Sequence, residues 1–322
     1  MKFRTEITPK PWAEKIGYDD TILSLGSCFA DNIATKLAER KFRVVASPTG
    51  ILFNPASIAS AVERMANGRA PQSEELVEVA GRWLSYDFHS SISGDSTASA
   101  LDAMNNAIAV GNKALTESNY IIITLGTAWV YRLKSSGKVV ANCHKQPHGN
   151  FSRELLSVAE VVAALESIIR ATKSRIILTV SPVRHLGEGA EDNSLSKAIL
   201  RVAVDQVCRE HSDRAIYFPS YELMLDDLRD YRFYSDDLVH PTKFAVEYIA
   251  EKFFETALSN EAKKLMPKVL QITRAASHRP TNLASDEHKR FCQEQLSAIE
   301  ELGAVDFEEE KRYFERMLQI NL

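Results

Sequence analysis

The sequence has no apolar run long enough to cross a bilayer. Its longest stretches, such as Tyr120-Ile121-Ile122-Ile123, fall far short of the ~18 residues required. The first fifteen residues lack the apolar core of a secretion signal. These absences predict a cytoplasmic protein with no membrane partner. Cysteine is scarce. The four residues, Cys28, Cys143, Cys208 and Cys292, form no CxxC pair. That spacing argues against a disulfide scaffold or a zinc ribbon, so free thiols are expected and no metal or cofactor. Charge of one sign is lacking too. Thirty-nine basic residues stand against 43 acidic ones, for a net charge of −4. This argues against a non-specific nucleic-acid binder. There is no internal repeat and no low-complexity segment.

What is present is alternation. Short β-branched runs at 21–25, 43–46, 120–125, 175–180 and 215–218 predict strands, most of them apolar throughout, as parallel strands covered on both faces are. Helical patterns at 31–40, 55–67, 98–116, 158–172, 195–210 and 243–257 separate them, which reads as α/β. Two stretches break the pattern, near 72–95 and 127–143, and read as hairpin insertions. After about residue 258 the strands stop. The rest is charged and helical, with heptad-like spacing in Leu296, Ile299 and Leu302 and again in Phe307, Phe314 and Met317. Pro280-Thr281-Asn282 separates two of these helices. The expectation is a domain at 1–258 and a helical extension at 259–322, which packs on the sheet domain or serves as an arm for homo-oligomers.

The first strand ends in Leu25-Gly26-Ser27-Cys28-Phe29-Ala30, and a helix follows. This puts the Ser27 hydroxyl on a tight turn at a strand's carboxyl end, beside the positive end of the helix dipole. Such a place suits a nucleophile, because nearby N–H groups can hold the oxyanion its attack creates. A plain serine N-cap is the alternative. Cys28, also at the helix N-terminus, has a reason for a lowered pKa, which leaves a cysteine hydrolase chemically open. Far along the chain, Asp237-Leu238-Val239-His240-Pro241 precedes the last helix of the sheet domain. Its spacing lets the Asp237 carboxylate reach Nδ1 of His240 and fix the tautomer. Nε2 is then free to act as base toward a serine. Gly94-Asp95-Ser96 also carries a serine after glycine and aspartate, but no buried strand precedes it. Ser96 reads as a helix N-cap.

The Gly26–Ala30 run combined with Asp237-x-x-His240-Pro241 resembles the SGNH-hydrolase superfamily. It resembles more closely the GSCFA family, named for the five residues at 26–30. The resemblance covers about residues 20–258. It implies a flavodoxin-like three-layer α/β/α sandwich with a parallel five-stranded sheet of order 2-1-3-4-5. It also implies a triad of Ser27 as nucleophile, His240 as general base and Asp237 as its orienter. The oxyanion hole would take the N–H of Ser27 and that of Gly50, in the superfamily's second block. The third block is normally Gly-x-Asn, but here it reads Gly126-Thr127-Ala128, so its side-chain donor is missing. Asn54 and Thr127 are the candidate replacements.

The remaining candidates would bind substrate. Thr127 and Trp129 leave the third-block strand. His144 and Lys145 follow the second hairpin and suit an anionic or hydroxyl-rich ligand. A metal site of Cys143, His144 and His148 would lack a fourth ligand at a typical spacing. Arg184 and His185 follow the fourth strand, at the expected pocket rim. The run Asn193-Ser194-Leu195-Ser196-Lys197 reads as the cap of the next helix. Trp83, Trp129 and Tyr131 are candidates for sugar stacking or hairpin packing. The expected activity is that of a serine esterase or O-acyltransferase acting on small acyl esters, with acetylated carbohydrates favoured by superfamily analogy. The alternative is a non-catalytic ligand-binding protein that keeps the pocket without the third-block Asn.

Overall fold

The computed structural model describes residues 4–187, 189–277 and 285–319. The chain opens with β1 (Thr21–Gly26), α1 (Cys28–Ala38), β2 (Arg43–Ala46) and α2 (Pro55–Asn67). Then come β3 (Leu76–Val79), β4 (Arg82–Ser85), α3 (Thr97–Glu117), β5 (Tyr120–Leu125), β6 (Trp129–Leu133), β7 (Val139–Val140) and β8 (Phe151–Leu155). Next are α4 (Val158–Ala171), β9 (Arg175–Val180), α5 (Ala190–Glu210), β10 (Ala215–Tyr217) and the short α6 (Ser220–Glu222). The last helices are α7 (Lys243–Ala257), α8 (Asn260–Ser277), α9 (Asp286–Glu300) and α10 (Glu308–Leu318).

Five strands pair in parallel in the order β10-β9-β5-β1-β2, which is 2-1-3-4-5 when only these strands are counted. The period of two along each strand divides the side chains between two layers. Leu23, Leu25, Ile121, Ile123, Ile176 and Leu178 pack against residues of α2 to α5. Ile22, Tyr120, Ile122 and Ile177 pack against residues of α1 and α7. Helix starts are fixed locally. Asn54 accepts the Ser57 N–H at 2.8 Å with Pro55 following, and Ser157 and Glu160 form a capping box on α4. Ser96 caps α3, as its sequence context predicts.

The first insertion is a hairpin of β3 and β4. The second differs from its prediction. β6 pairs with β7 and also with β8, so the hairpin is a three-stranded antiparallel sheet. Ser152, Arg153 and Glu154 occupy the middle of β8. Its strand character therefore comes from its partner rather than from its own residue types. α1 starts at Cys28 rather than 31, and α5 at Ala190 rather than 195. Asn193, Ser194 and Ser196 thus lie inside α5 and cap nothing.

α8 to α10 lie over the α1/α7 layer. Val269, Ile272, Phe307 and Phe314 share one apolar cluster with Ile33, Leu37, Ile249 and Phe253. Lys41 after α1 bonds Glu310 of α10 at 2.8 Å. The Pro280-Thr281-Asn282 break falls outside the described residues. Among the described residues no helix is long and apolar enough to cross a membrane.

The end of β1 is the tightest point. Gly26 adopts φ +129, and an added Cβ would collide with the Thr124 carbonyl of β5. Gly26→Ala is therefore expected to lower stability by about 2–4 kcal/mol or to prevent folding. Chemical denaturation measures this, and an unchanged midpoint would contradict the tight packing described.

Candidate active site

Ser27 is the N-cap residue of α1, in an extended conformation, and is fully buried. Its N–H donates to the Thr124 carbonyl at 3.0 Å. Its Oγ is buried and makes no hydrogen bond among the described residues. The loop between β2 and α2 is stitched to this turn. Leu52 N–H donates to the Gly26 carbonyl at 2.9 Å, and the Phe53 carbonyl accepts Gly126 and Thr127 N–H at 2.7 and 3.0 Å. The carboxyl ends of β1 and β5 and the start of α2 therefore converge. Asn54 stands beside the third-block position that lacks its Asn. Its Oδ1 caps α2, and its Nδ2 has no hydrogen-bond partner among the described residues.

Two donors expected from the sequence are engaged elsewhere. Ser27 N–H is held by Thr124, and Gly50 N–H donates to the Ser47 carbonyl at 2.7 Å. Gly50 is needed for its shape instead. It adopts φ +81, with His89 packed where a Cβ would stand. It borders a cleft of about 450 Å³ lined also by Asp31, Ser47, Ile51, His89 and Ser91. The Cys28 thiol is not activated. Burial pushes its pKa up, Asp31 adds to this, and the first two helix N–H groups oppose it only in part.

The other half of the site is the turn at 235–240. One oxygen of Asp237 accepts the N–H of Val239 and His240 at 2.9 and 3.0 Å. The other meets His240 Nδ1 at 2.7 Å. Leu238 between them takes φ +57, a strained value for leucine. The two side chains are half exposed. Arg184 clamps this turn to the loop after β9. Its N–H donates to the Val239 carbonyl at 3.2 Å and its Nη1 to the Leu238 carbonyl at 3.1 Å. Arg184 thus holds the histidine loop, while its guanidinium also lies over Tyr231 and Tyr234.

His185 lies deeper. Its N–H donates to Asn193 Oδ1 at 2.8 Å, and its ring packs edge-on against Phe53. Beneath it is Lys197, which the sequence reading passed over as part of a cap. Lys197 is 1% exposed, and its Nζ donates to the Gly126 and Ser181 carbonyls at 2.6 and 2.8 Å. The signal was present: Lys197 falls on the buried stripe of α5 with Leu200, Val204 and Val207.

A family model described as "GSCFA family" matches residues 21–253, and "GSCFA domain protein, C-terminal domain" matches residues 269–320. The chain belongs to the GSCFA family. No curated protein matches it. One similar solved structure is "Crystal structure of a carbohydrate esterase family 3 from Talaromyces cellulolyticus". It is 8% identical at a TM-score of 0.35, over 79% of this chain and 98% of that one.

Other sequence-derived candidates in this GSCFA chain serve packing. His144 is buried, with Nδ1 on Ser90 Oγ at 3.0 Å and Nε2 on the Ser85 carbonyl at 2.8 Å, so it ties the two insertions together rather than facing a ligand. Lys145 is exposed beside it, also at positive φ. Thr127 Oγ1 pairs with Ser196 Oγ at 3.0 Å, and Ser196 also accepts the Ala128 N–H. Trp129 donates its indole N–H to the Asp192 carbonyl, and Arg153 covers its ring at 3.5 Å. One face of that indole is therefore closed to a sugar.

The hydrogen bonds from His240 and Val239 pull the Asp237 pKa down to about 2, below its unfolded value of about 3.9. Because the folded value is the lower one, the turn keeps this support above about pH 4. It loses it as pH falls toward 2. A carbon NMR titration of the Asp237 carboxyl should give a midpoint near 2. A midpoint near 3.9 would mean the turn is not formed.

Proposed function

We propose that this protein is a serine-dependent O-acyl esterase or acyltransferase of the SGNH superfamily. Residues 1–258 carry the chemistry, and 259–322 are a supporting helical extension. The observation that carries this reading is the Asp237–His240 pair at 2.7 Å, anchored over the carboxyl end of β9, in the same sheet whose β1 ends at Ser27. β5 alone lies between those strands, so their axes are about 10 Å apart. Ser27 Oγ makes no hydrogen bond to Nε2 among the described residues, and free enzymes often have such bonds still open. His240 then takes the Ser27 proton as Oγ attacks the acyl carbonyl. As the intermediate collapses and its C–O bond breaks, His240 returns the proton to the leaving oxygen, the alcohol departs and the acyl group stays on Ser27. Water completes hydrolysis, and a sugar hydroxyl completes transfer. The Asn54 amide is the donor we assign to the oxyanion in the absence of the third-block Asn. Small acyl groups, acetyl first, on carbohydrate hydroxyls are the substrates that superfamily kinship favours.

The buried, unpartnered Ser27 hydroxyl favours a second reading, a ligand-binding protein without turnover. A fluorophosphonate probe and p-nitrophenyl acetate separate the two. The wild-type protein is expected to be labelled and to turn over ester, and Ser27→Ala to lose both. Cys28→Ala should keep both, and His240→Ala should fall more than ~10²-fold in kcat. Turnover that survives Ser27→Ala overturns the proposal. Absence of labelling and turnover in the wild type favours the binding protein.

A further inference from the structure

Burying an ammonium group is costly, and two backbone carbonyls could be satisfied by a neutral side chain. Lys197 nevertheless brings an ionisable amine to the carboxyl ends of β5 and β9, where the candidate chemistry lies. Among the described residues, no carboxylate pairs with it. Cys28 faces it from α1, and the Tyr221 ring lies 5.8 Å away on the α6 side. Above it, Nε2 of His185 is buried and without a hydrogen-bond partner among the described residues. A Cβ on Gly126 would stand 3.2 Å from that nitrogen. So an unengaged imidazole nitrogen faces the glycine of the block whose Asn donor is missing. Buried polar atoms without partners are rare enough to need a reason, and a ligand that arrives later is one.

We propose that Lys197 is a positioning residue. Its ammonium ties β5 to β9 and holds the imidazole of His185 uncharged beside Gly126, so that His185 meets the substrate as a neutral hydrogen-bonding group. The last clause rests on the esterase reading, whereas the coupling between the two side chains does not. Groups facing His185 from the surrounding elements agree in sign. Burial lowers its pKa most, then Lys197 from α5, then His240 from the loop before α7, to about 4. Burial also lowers Lys197 itself, to about 7, so the lysine is still charged over the range where His185 takes up its proton. A fixed neutral imidazole can polarise a carbonyl without exchanging its charge with solvent.

The test follows the His185 ring protons by NMR from pH 3.5 to 8 in the full chain, with assignment by their loss in His185→Gln. Wild-type His185 is expected to stay neutral above about pH 5. In Lys197→Met its midpoint should rise above the wild-type value, because the neighbouring charge is gone while the burial remains. Turnover of p-nitrophenyl acetate by Lys197→Met should fall tenfold or more in kcat with KM within twofold. Superimposable His185 titrations in the two proteins overturn the proposal. A wild-type midpoint near 6.5 overturns it without any variant, should Lys197→Met not fold. A wild type that shows the expected titration but turns over no ester supports the coupling and refutes the esterase reading instead.

Discussion

The candidate site depends on one close approach, the Gly26 backbone against Thr124. This contact lets β1 and β5 pair to their last residues, so Ser27 N–H continues the ladder onto the Thr124 carbonyl. The same turn offers the Gly26 carbonyl to Leu52 and so fixes the loop carrying Asn54. Phe53 passes the connection to Gly126, Lys197 carries it from Gly126 to Ser181, and Arg184 carries it on to Leu238 and Val239. Six segments distant in sequence are thereby joined by successive hydrogen bonds across the end of the sheet. Most of these bonds use backbone atoms, so they depend on register more than on side-chain identity.

The two histidines near this network stand in opposite surroundings. His240 is half exposed, and its Nδ1 is taken by a carboxylate that remains charged under all ordinary conditions. His185 is enclosed, next to a cation, and among the described residues no carboxylate acts on it. Environments that separate two like groups in this way give them different roles on one surface. One is suited to moving a proton and the other to presenting a fixed dipole.

Much of the fold is legible in the sequence because local chemistry declares it. β5 and β9 are continuous apolar runs, and α2 and α7 begin at a capping side chain in the expected place. The position of Ser27 after β1 and the Asp237–His240 contact are legible because a glycine ends the strand and a three-residue spacing lets the carboxylate reach the imidazole. Other features depend on tertiary partners. β8 is a strand because β6 is beside it. Gly50 and Ser27 keep their N–H groups for backbone carbonyls that only the folded register supplies. His144 looks like a surface ligand by residue type, but Ser85 and Ser90 enclose it. Lys197 was hidden by its polarity, which suggested a helix end, although its helical phase matches the core.

The docking of α8 to α10 onto the α1/α7 layer has a consequence for how the chain is made. The helices that cover Ile33, Leu37, Ile249 and Phe253 are synthesised after the whole of the sheet. When α7 has left the ribosome, the sheet can close, but its lower layer still presents an apolar face. Until α8, α9 and α10 arrive, the nascent protein carries adhesive surface of the kind that recruits chaperones and promotes misassembly. Folding yield in the cell thus turns on helices made after the sheet, far from the residues that would do its chemistry.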